Sequence, residues 1–307
     1  MPVVRAKKVG ASSAPSGSSS SSGPPALAFG ELMSRDDYLT AGLEGVQPLL
    51  YREISCFTSA VDLHTRELRA GSKDLGQYVM FKAVTQIHFT TLSTVRRTGY
   101  KGLRFMYLMD EEILIVKVMP EAYQEIVSRT FGHLLYRKVM GMGLDGALLN
   151  IGSTTFEGMS SRKEADTAFK PRQARSGRGA WPTVVLECGI AMSSKRLRAE
   201  AQWWLEVSAG EVKIVLLFLI SKTEKVIHIE QWERDEPKPE LLKVHPTMRA
   251  KPTRVCTVSI VGGKATGAPL MLDFNKIFLR KPGKGESNLV FTAEDLTACA
   301  TQVWDEV

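Results

Sequence analysis

The sequence predicts a mixed α/β protein, a sheet of parallel and antiparallel strands with helices on both faces. Three observations lead there. An apolar strand candidate, Glu112–Met119, runs directly into an amphipathic helix from Glu121 to Met140, with Ile126, Val127, Phe131, Leu134, Leu135 and Val139 at three-and-four spacing. A second helix, about Ser194 to Ser208, precedes Val212–Ile220, which is apolar almost throughout, as in a strand covered on both faces. The core order is strand, helix, several strands, helix, strand, strand, with no internal repeat.

Composition bounds the class. The 307 residues are 44% apolar and 24% charged, enough to bury a sizeable core without disulfides or a structural metal. The longest apolar run, Ile214–Ile220, falls short of the roughly 18 residues of a membrane span. No secretory segment opens the chain, and no membrane association is expected. Cys56, Cys188, Cys256 and Cys299 are scattered, which suits reduced thiols inside a cell, nuclear or cytoplasmic. A net charge of +7 admits a nucleic-acid partner without demonstrating one.

The elements follow in order. Residues 1–26 read as a disordered tail, since Ala11–Pro25 contains only Ala, Ser, Pro and Gly. Residues 27–103 read as mainly helical, with a helix start at Ser34, Asp36 and Asp37 and a helical pattern over Tyr78–Leu92. His64 and His88 there have no partner at metal-ligand spacing. Residues 104–307 form the main domain. Pro120 suits the first turn of its first helix, and Gly141 and Gly143 end that helix. Short strands follow at Ala147–Ile151, Thr154–Glu157 and Glu164–Phe169, then a basic loop and Thr183–Cys188. Beyond the second helix, which Gly210 terminates, come strands near Lys225–Glu233, Arg254–Val261 and Leu270–Phe274. A closing helix spans about Thr292 to Asp305, where Thr292 and Asp295 resemble a capping box. Gly141-x-Gly143-x-x-Gly146 matches a dinucleotide fingerprint in letters only, because it closes a helix and opens a strand.

Two carboxylates carry the chemistry. Asp166 lies near one strand, and Glu187 lies within the next, in Val-Val-Leu-Glu-Cys. A carboxylate in so apolar a run needs a cation, a hydrogen-bond network or a metal. On adjacent strands the two acids form a hard-oxygen pair suited to Mg²⁺ or Mn²⁺. A strand-end Glu paired with a nearby Arg or Lys explains the same residues equally well.

Asp166 followed by Glu187 on Pro182-Thr-Val-Val-Leu-Glu resembles the PD-(D/E)XK, or restriction-endonuclease-like, superfamily. From about Arg104 onward the chain is similar to a large set of uncharacterised fungal proteins. The shared pieces are Met109–Ile115, Lys163-Glu-Ala-Asp166, Arg196–Leu205, Gly210–Val215 and Ile227–Glu233. A bacterial family described as candidate restriction endonucleases has the same element order. The resemblance implies a restriction-endonuclease-like fold, with Asp166 and Glu187 as metal ligands and Glu125 as a third acid on the first core helix. Where relatives carry histidines, this chain has Gln124 and Ser128. Where the motif has its lysine, this chain has Gly189. Lys213, in Glu-Val-Lys-Ile-Val, is the first candidate to supply that cation, ahead of Lys195 and Lys170.

Lys170, Arg172, Arg175 and Arg178 make the loop between the carboxylate strands cationic, and with Lys195 they form a candidate phosphate-tracking surface. A solvated insertion is the bland alternative. Arg196 and Arg198 are as well suited to pairing with Glu200, Asp166 or Glu187. Trp203 and Trp204 suit packing, the helix pattern needing one of them inward. The expected function is metal-dependent hydrolysis of DNA, with RNA as the alternative partner, by Mg²⁺- or Mn²⁺-activated water. The rival is a catalytically lapsed version of the fold that binds nucleic acid or a protein partner; Gly189 favours it.

Overall fold

The computed structural model describes residues 37–71, 75–119, 122–235 and 250–305. The tail at 1–26, the helix start at Ser34 and Asp36, and Pro120 lie outside these residues. The mixed α/β class holds, with three sheets and six α-helices among the described residues, and is consistent with a restriction-endonuclease-like fold. The strands divide between two large sheets instead of filling one.

The first sheet runs β1 (Leu49–Leu50), β2 (Tyr78–Lys82), β4 (Ile113–Lys117), β3 (Arg104–Leu108), β7 (Ser161–Glu164), β6 (Thr155–Glu157). Only the β1–β2 pair is parallel. Helices α1 (Ile54–Arg69) and α2 (Gln86–Gly99) cover its outer face, where Phe57, Phe81, Phe89, Phe105 and Val116 form one core. Among the described residues before 104, α1 and α2 are accompanied by two strands that are hydrogen-bonded into the same sheet as β3 and β4. Tyr78–Leu92 is not one helix. Tyr78–Phe81 is buried on both faces, Ala83 turns through φ +61°, and α2 starts at a box in which Thr85 and His88 cap each other.

The second sheet runs β13 (Lys264–Thr266), β12 (Lys251–Val261), β11 (Val226–Asp235), β10 (Ile214–Ser221), β9 (Val184–Ile190), β8 (Thr167–Pro171), β5 (Leu148–Asn150). Strands β9 and β10 are parallel, joined by α4 (Ser194–Val207); the other neighbours are antiparallel. Its outer face is covered by α3 (Ala122–Gly141), α5 (Phe274–Phe278), α6 (Ala293–Asp305) and the hairpin β14 (Leu270–Leu272)–β15 (Leu289–Phe291). Thr292 and Asp295 do form a reciprocal cap on α6. Gly143 and Gly146 take positive φ in the turn between α3 and β5, so the Gly-x-Gly-x-x-Gly run is a cap and turn. No described helix is long and apolar enough to cross a membrane.

Helix α4 lies between the inner faces of the two sheets, in a third core built from Met80, Met106 and Ile115 on one side and Val185, Val215 and Leu217 on the other. This position buries Trp203 and Trp204 alike, with their rings edge to face at 4.9 Å. The stretch expected as a single strand, Glu164–Phe169, breaks at Ala165–Asp166, sending β7 into the first sheet and β8 into the second. Asp166 therefore stands where the chain crosses between sheets.

Candidate functional site

Asp166 and Glu187 become neighbours through strand register. Thr167 pairs with Leu186 across antiparallel β8 and β9, so Asp166 and Glu187 are opposite each other on one face. Asp166 also extends the ladder with its side chain, Oδ2 accepting the Cys188 N–H at 2.8 Å.

The opposing sheet supplies cations. Ile113, Ile115 and Lys117 alternate onto the inner face of β4, where Lys117 Nζ lies 2.6 Å from Asp166 Oδ2, 3.2 Å from Glu187 Oε2 and 4.0 Å from Glu200 Oε2. Lys163 on β7 sits 3.0 Å from both Glu187 Oε1 and Glu200 Oε2. Glu200 comes from α4, one turn after Arg196, whose Nε lies 3.3 Å from it. Trp204 Nε1 donates to Glu187 Oε1 at 2.7 Å. The five central side chains, Lys117, Lys163, Asp166, Glu187 and Glu200, are each 2% exposed or less. Arg104, at 13%, is the outermost member, its Nε 3.5 Å from Asp166 Oδ1.

These charges set one another. Burial raises the Asp166 carboxyl, but Lys117 and Arg104 outweigh it and hold the group below its usual range. Glu200 follows the same logic: burial is overcome by Lys163, Lys117 and Arg196, and its carboxyl falls to about 2. Glu187 is raised, burial prevailing over Lys163 and Lys117 with Asp166 and Glu200 adding repulsion. Burial works against the Lys117 ammonium, yet Asp166 and Glu187 hold it protonated well above the usual lysine range. Burial likewise raises the Cys188 thiol, whose Sγ lies 3.1 Å from Ser128 Oγ.

Gly189 has a structural reason. A Cβ there would lie 2.6 Å from Leu197 Cδ1 and 2.7 Å from Gln77 Oε1, so a side chain would have to displace the ends of these two buried side chains. Gln77 fills the space and accepts the Ile190 N–H at 2.8 Å through that oxygen. Its backbone carbonyl accepts the Val118 N–H, which ties Gln77 to the residue after Lys117. The cations beside the acids come from β4 and β7, and the space at position 189 is taken by Gln77 and Leu197.

The other expected site residues are scattered. Lys213 turns to the Gly210 carbonyl and makes no contact with the acid pair. Glu125 is 58% exposed and pairs with Arg129 one turn along α3. Of the expected phosphate-tracking residues, Lys170 is buried and donates to the Gly177 carbonyl, Arg175 pairs with Glu211, and Lys195 pairs with Glu44. Arg172 and Arg178 are exposed. Arg198 pairs with Glu230 on β11, at 2.6 Å. Lys117 escaped sequence reading because it ends an apolar strand like any solvent-reaching lysine. Lys163 and Glu200 stood inside noted motifs, but nothing in their spacing linked them across the two sheets.

The residues as arranged do not fit the expected Mg²⁺ or Mn²⁺. The facing oxygens of Asp166 and Glu187 already share the Lys117 ammonium. At about 4 Å and an effective dielectric near 20, a dication and an ammonium repel by about 8 kcal/mol, so both cannot occupy this space. Three acids also face two lysines and two arginines, leaving no negative charge to balance an ion. No group of three His, Cys, Asp or Glu side chains among the described residues is arranged to hold a metal.

No family model matches the chain, and no curated protein matches it. Among solved structures, the chain is similar to a protein of Anabaena variabilis described as a candidate nuclease of the DUF820 family. The identity is 11% and the TM-score 0.37, over 64% of this chain and 90% of the other. At that level the likeness settles neither family nor chemistry, and the functional reading rests on the cluster itself.

Proposed function

We propose that the chain is a nucleic-acid-binding module of nuclease-like fold whose acid pair is neutralised from within, so that it binds without metal-dependent hydrolysis. One observation carries the reading: Lys117 Nζ stands between Asp166 Oδ2 and Glu187 Oε2, inside a cluster closed to solvent. A phosphodiester anion has no access to carboxylates exposed by 1% or less. The net charge of +7 and the exposed Arg172 and Arg178 beside β8 favour a polyanionic partner. Lys170 and Arg175 are engaged within the chain and Lys195 sits in an exposed pair with Glu44, so the contact is small.

With two arginines on phosphates, the logarithm of affinity should fall against the logarithm of salt with a slope of about −2. The test is fluorescence anisotropy with duplex DNA, single-stranded DNA and RNA over a salt series, alongside incubation of plasmid with Mg²⁺ or Mn²⁺. Salt-sensitive binding with intact plasmid is expected. Metal-dependent nicking that disappears in Glu187→Ala overturns the proposal.

That second outcome is the hydrolase reading, with Asp166 and Glu187 as Mg²⁺ ligands and DNA as substrate, and one observation favours it. Asp166 Oδ1 and Arg104 Nε have no hydrogen-bond partner among the described residues and face each other at 3.5 Å on the less buried side of the cluster. One carboxylate oxygen thus keeps free lone pairs. For that reading to hold, Lys117 would have to leave the acids.

A further inference from the structure

The segments Arg196–Leu205 and Ile227–Glu233 meet at a carboxylate outside the acid cluster. Glu230 of β11 lies on the same face as Glu187, separated from it by Leu217 of β10, and its side chain is 3% exposed. Three elements donate to it. Arg198 of α4 donates Nη2 to Oε1 at 2.6 Å and Nε to Oε2 and Oε1 at 3.1 and 3.2 Å. Arg254 of β12 donates Nη1 to Oε1 at 3.0 Å, and Trp232 Nε1 donates to Oε2 at 2.9 Å. Burial works against this carboxylate, but hydrogen bonds from Arg198 and Trp232 hold it below its usual range, so the anchor stays ionised.

One guanidinium would balance Glu230; the second leaves a positive charge at the surface. The two side chains are 30% and 43% exposed, and Arg254 meets Glu230 through Nη1, which leaves the rest of its fork toward solvent. Strand register extends the cluster into a strip. Along β11, His228, Glu230 and Trp232 stand opposite Ser259, Thr257 and Arg254 of β12. Thr257 and Arg254 are exposed, while His228, Ser259 and Trp232 are half-buried, so this face is open beside α4. It presents fixed guanidinium forks, hydroxyls and a tryptophan ring. Forks match phosphate oxygens, and rings and guanidinium planes stack on bases.

We infer that Arg198, Arg254 and Trp232, held together by Glu230, form a binding site for single-stranded nucleic acid, with a phosphate on the paired guanidiniums and an unpaired base on Trp232. The inference rests on the binding reading above and names the form of nucleic acid preferred. Bases within a duplex are already stacked on one another, so only an unpaired base can use the ring. Glu230 orders both forks before the ligand arrives, which lowers the entropy lost on binding.

The test titrates a short labelled oligothymidine, and the same strand as a duplex with oligoadenine, into the full chain. Anisotropy reads binding, and tryptophan emission reads stacking. The single strand should bind more tightly than the duplex and quench emission, and Trp232→Phe should lose the quench. Arg254→Ala should weaken single-strand binding about fivefold and reduce the salt slope by about 0.7, and Arg175→Ala serves as the control. Arg198 and Trp232 still hold Glu230 in the Arg254→Ala protein, whose unchanged circular dichroism would show that the fold is kept. A quench that persists in Trp232→Phe overturns the inference. So does single-strand affinity unaltered by Arg254→Ala, or a duplex bound as tightly as the single strand. Binding that depends on Arg172 and Arg178 but not on Arg254 overturns the inference and leaves the binding reading standing. A wild type that binds no nucleic acid at low salt overturns both.

Discussion

Lys117 and Glu187 lie seventy positions apart in the chain, on different sheets, and 3.2 Å apart in the fold. With Asp166 completing the contact at 2.6 Å, one ammonium is shared by the two buried carboxylates. Four predictions follow from this arrangement and its surroundings.

Removing Lys117 leaves two carboxylates buried beside one another without their shared cation. Lys117→Ala should lose about 3–5 kcal/mol of stability in urea denaturation. Lys117→Met combined with Asp166→Asn removes charge from both sides and should lose less than the sum of the single changes. Simple additivity would mean that the two groups are not coupled.

Restoring the motif residue should not restore a motif. Gly189→Ala places a Cβ against Leu197 and Gln77 and should cost about 1–3 kcal/mol. Gly189→Lys should cost more and bring no plasmid cleavage. A Gly189→Lys protein as stable as wild type would show that the space is not closed.

Acid should weaken the fold through Glu200. Its carboxyl is held at about 2 in the folded chain against an ordinary value of 4.5, burial being overcome by Lys163, Lys117 and Arg196. A depressed acid contributes stability above its unfolded value, and that contribution is lost as pH falls toward the folded one. Stability should therefore decline between about pH 4.5 and pH 2. Glu200→Gln should flatten that limb while lowering stability at neutral pH, measured as urea midpoints across the range.

The loop after β8 should divide by partnership. Arg172→Ala and Arg178→Ala should each weaken nucleic-acid binding similarly for all sequences and reduce the salt slope by about 1. Arg175→Ala, which removes a pair with Glu211, should leave the slope unchanged. Anisotropy titrations at several salt concentrations separate these cases.

Periodicity and local chemistry made much of the fold legible. The amphipathic run of α3, the continuous apolar stretch of β10, the Thr292–Asp295 cap and the misleading glycine run all read correctly, because each depends on residues within a few positions of one another. Legibility ended where one pattern served two elements. Tyr78–Leu92 contains a strand and a helix, divided by a positive φ at Ala83 that local propensity does not announce. Glu164–Phe169 contains no Gly or Pro to mark a break, yet its two halves join different sheets.

The acid pair was visible because a carboxylate within Val-Val-Leu-Glu-Cys is costly wherever that strand lies. The identity of its counter-charge was not. A lysine ending β4 has the same local sequence whether its ammonium reaches water or a buried carboxylate. Stacking the inner faces of two sheets across α4 turned Lys117 and Lys163 inward, and Gln77 beside Gly189 closed the route a motif lysine would take. Residue types disclose that a charge must be compensated. Which group compensates it depends on long-range packing, since partners tens of residues apart leave no shared period in the chain.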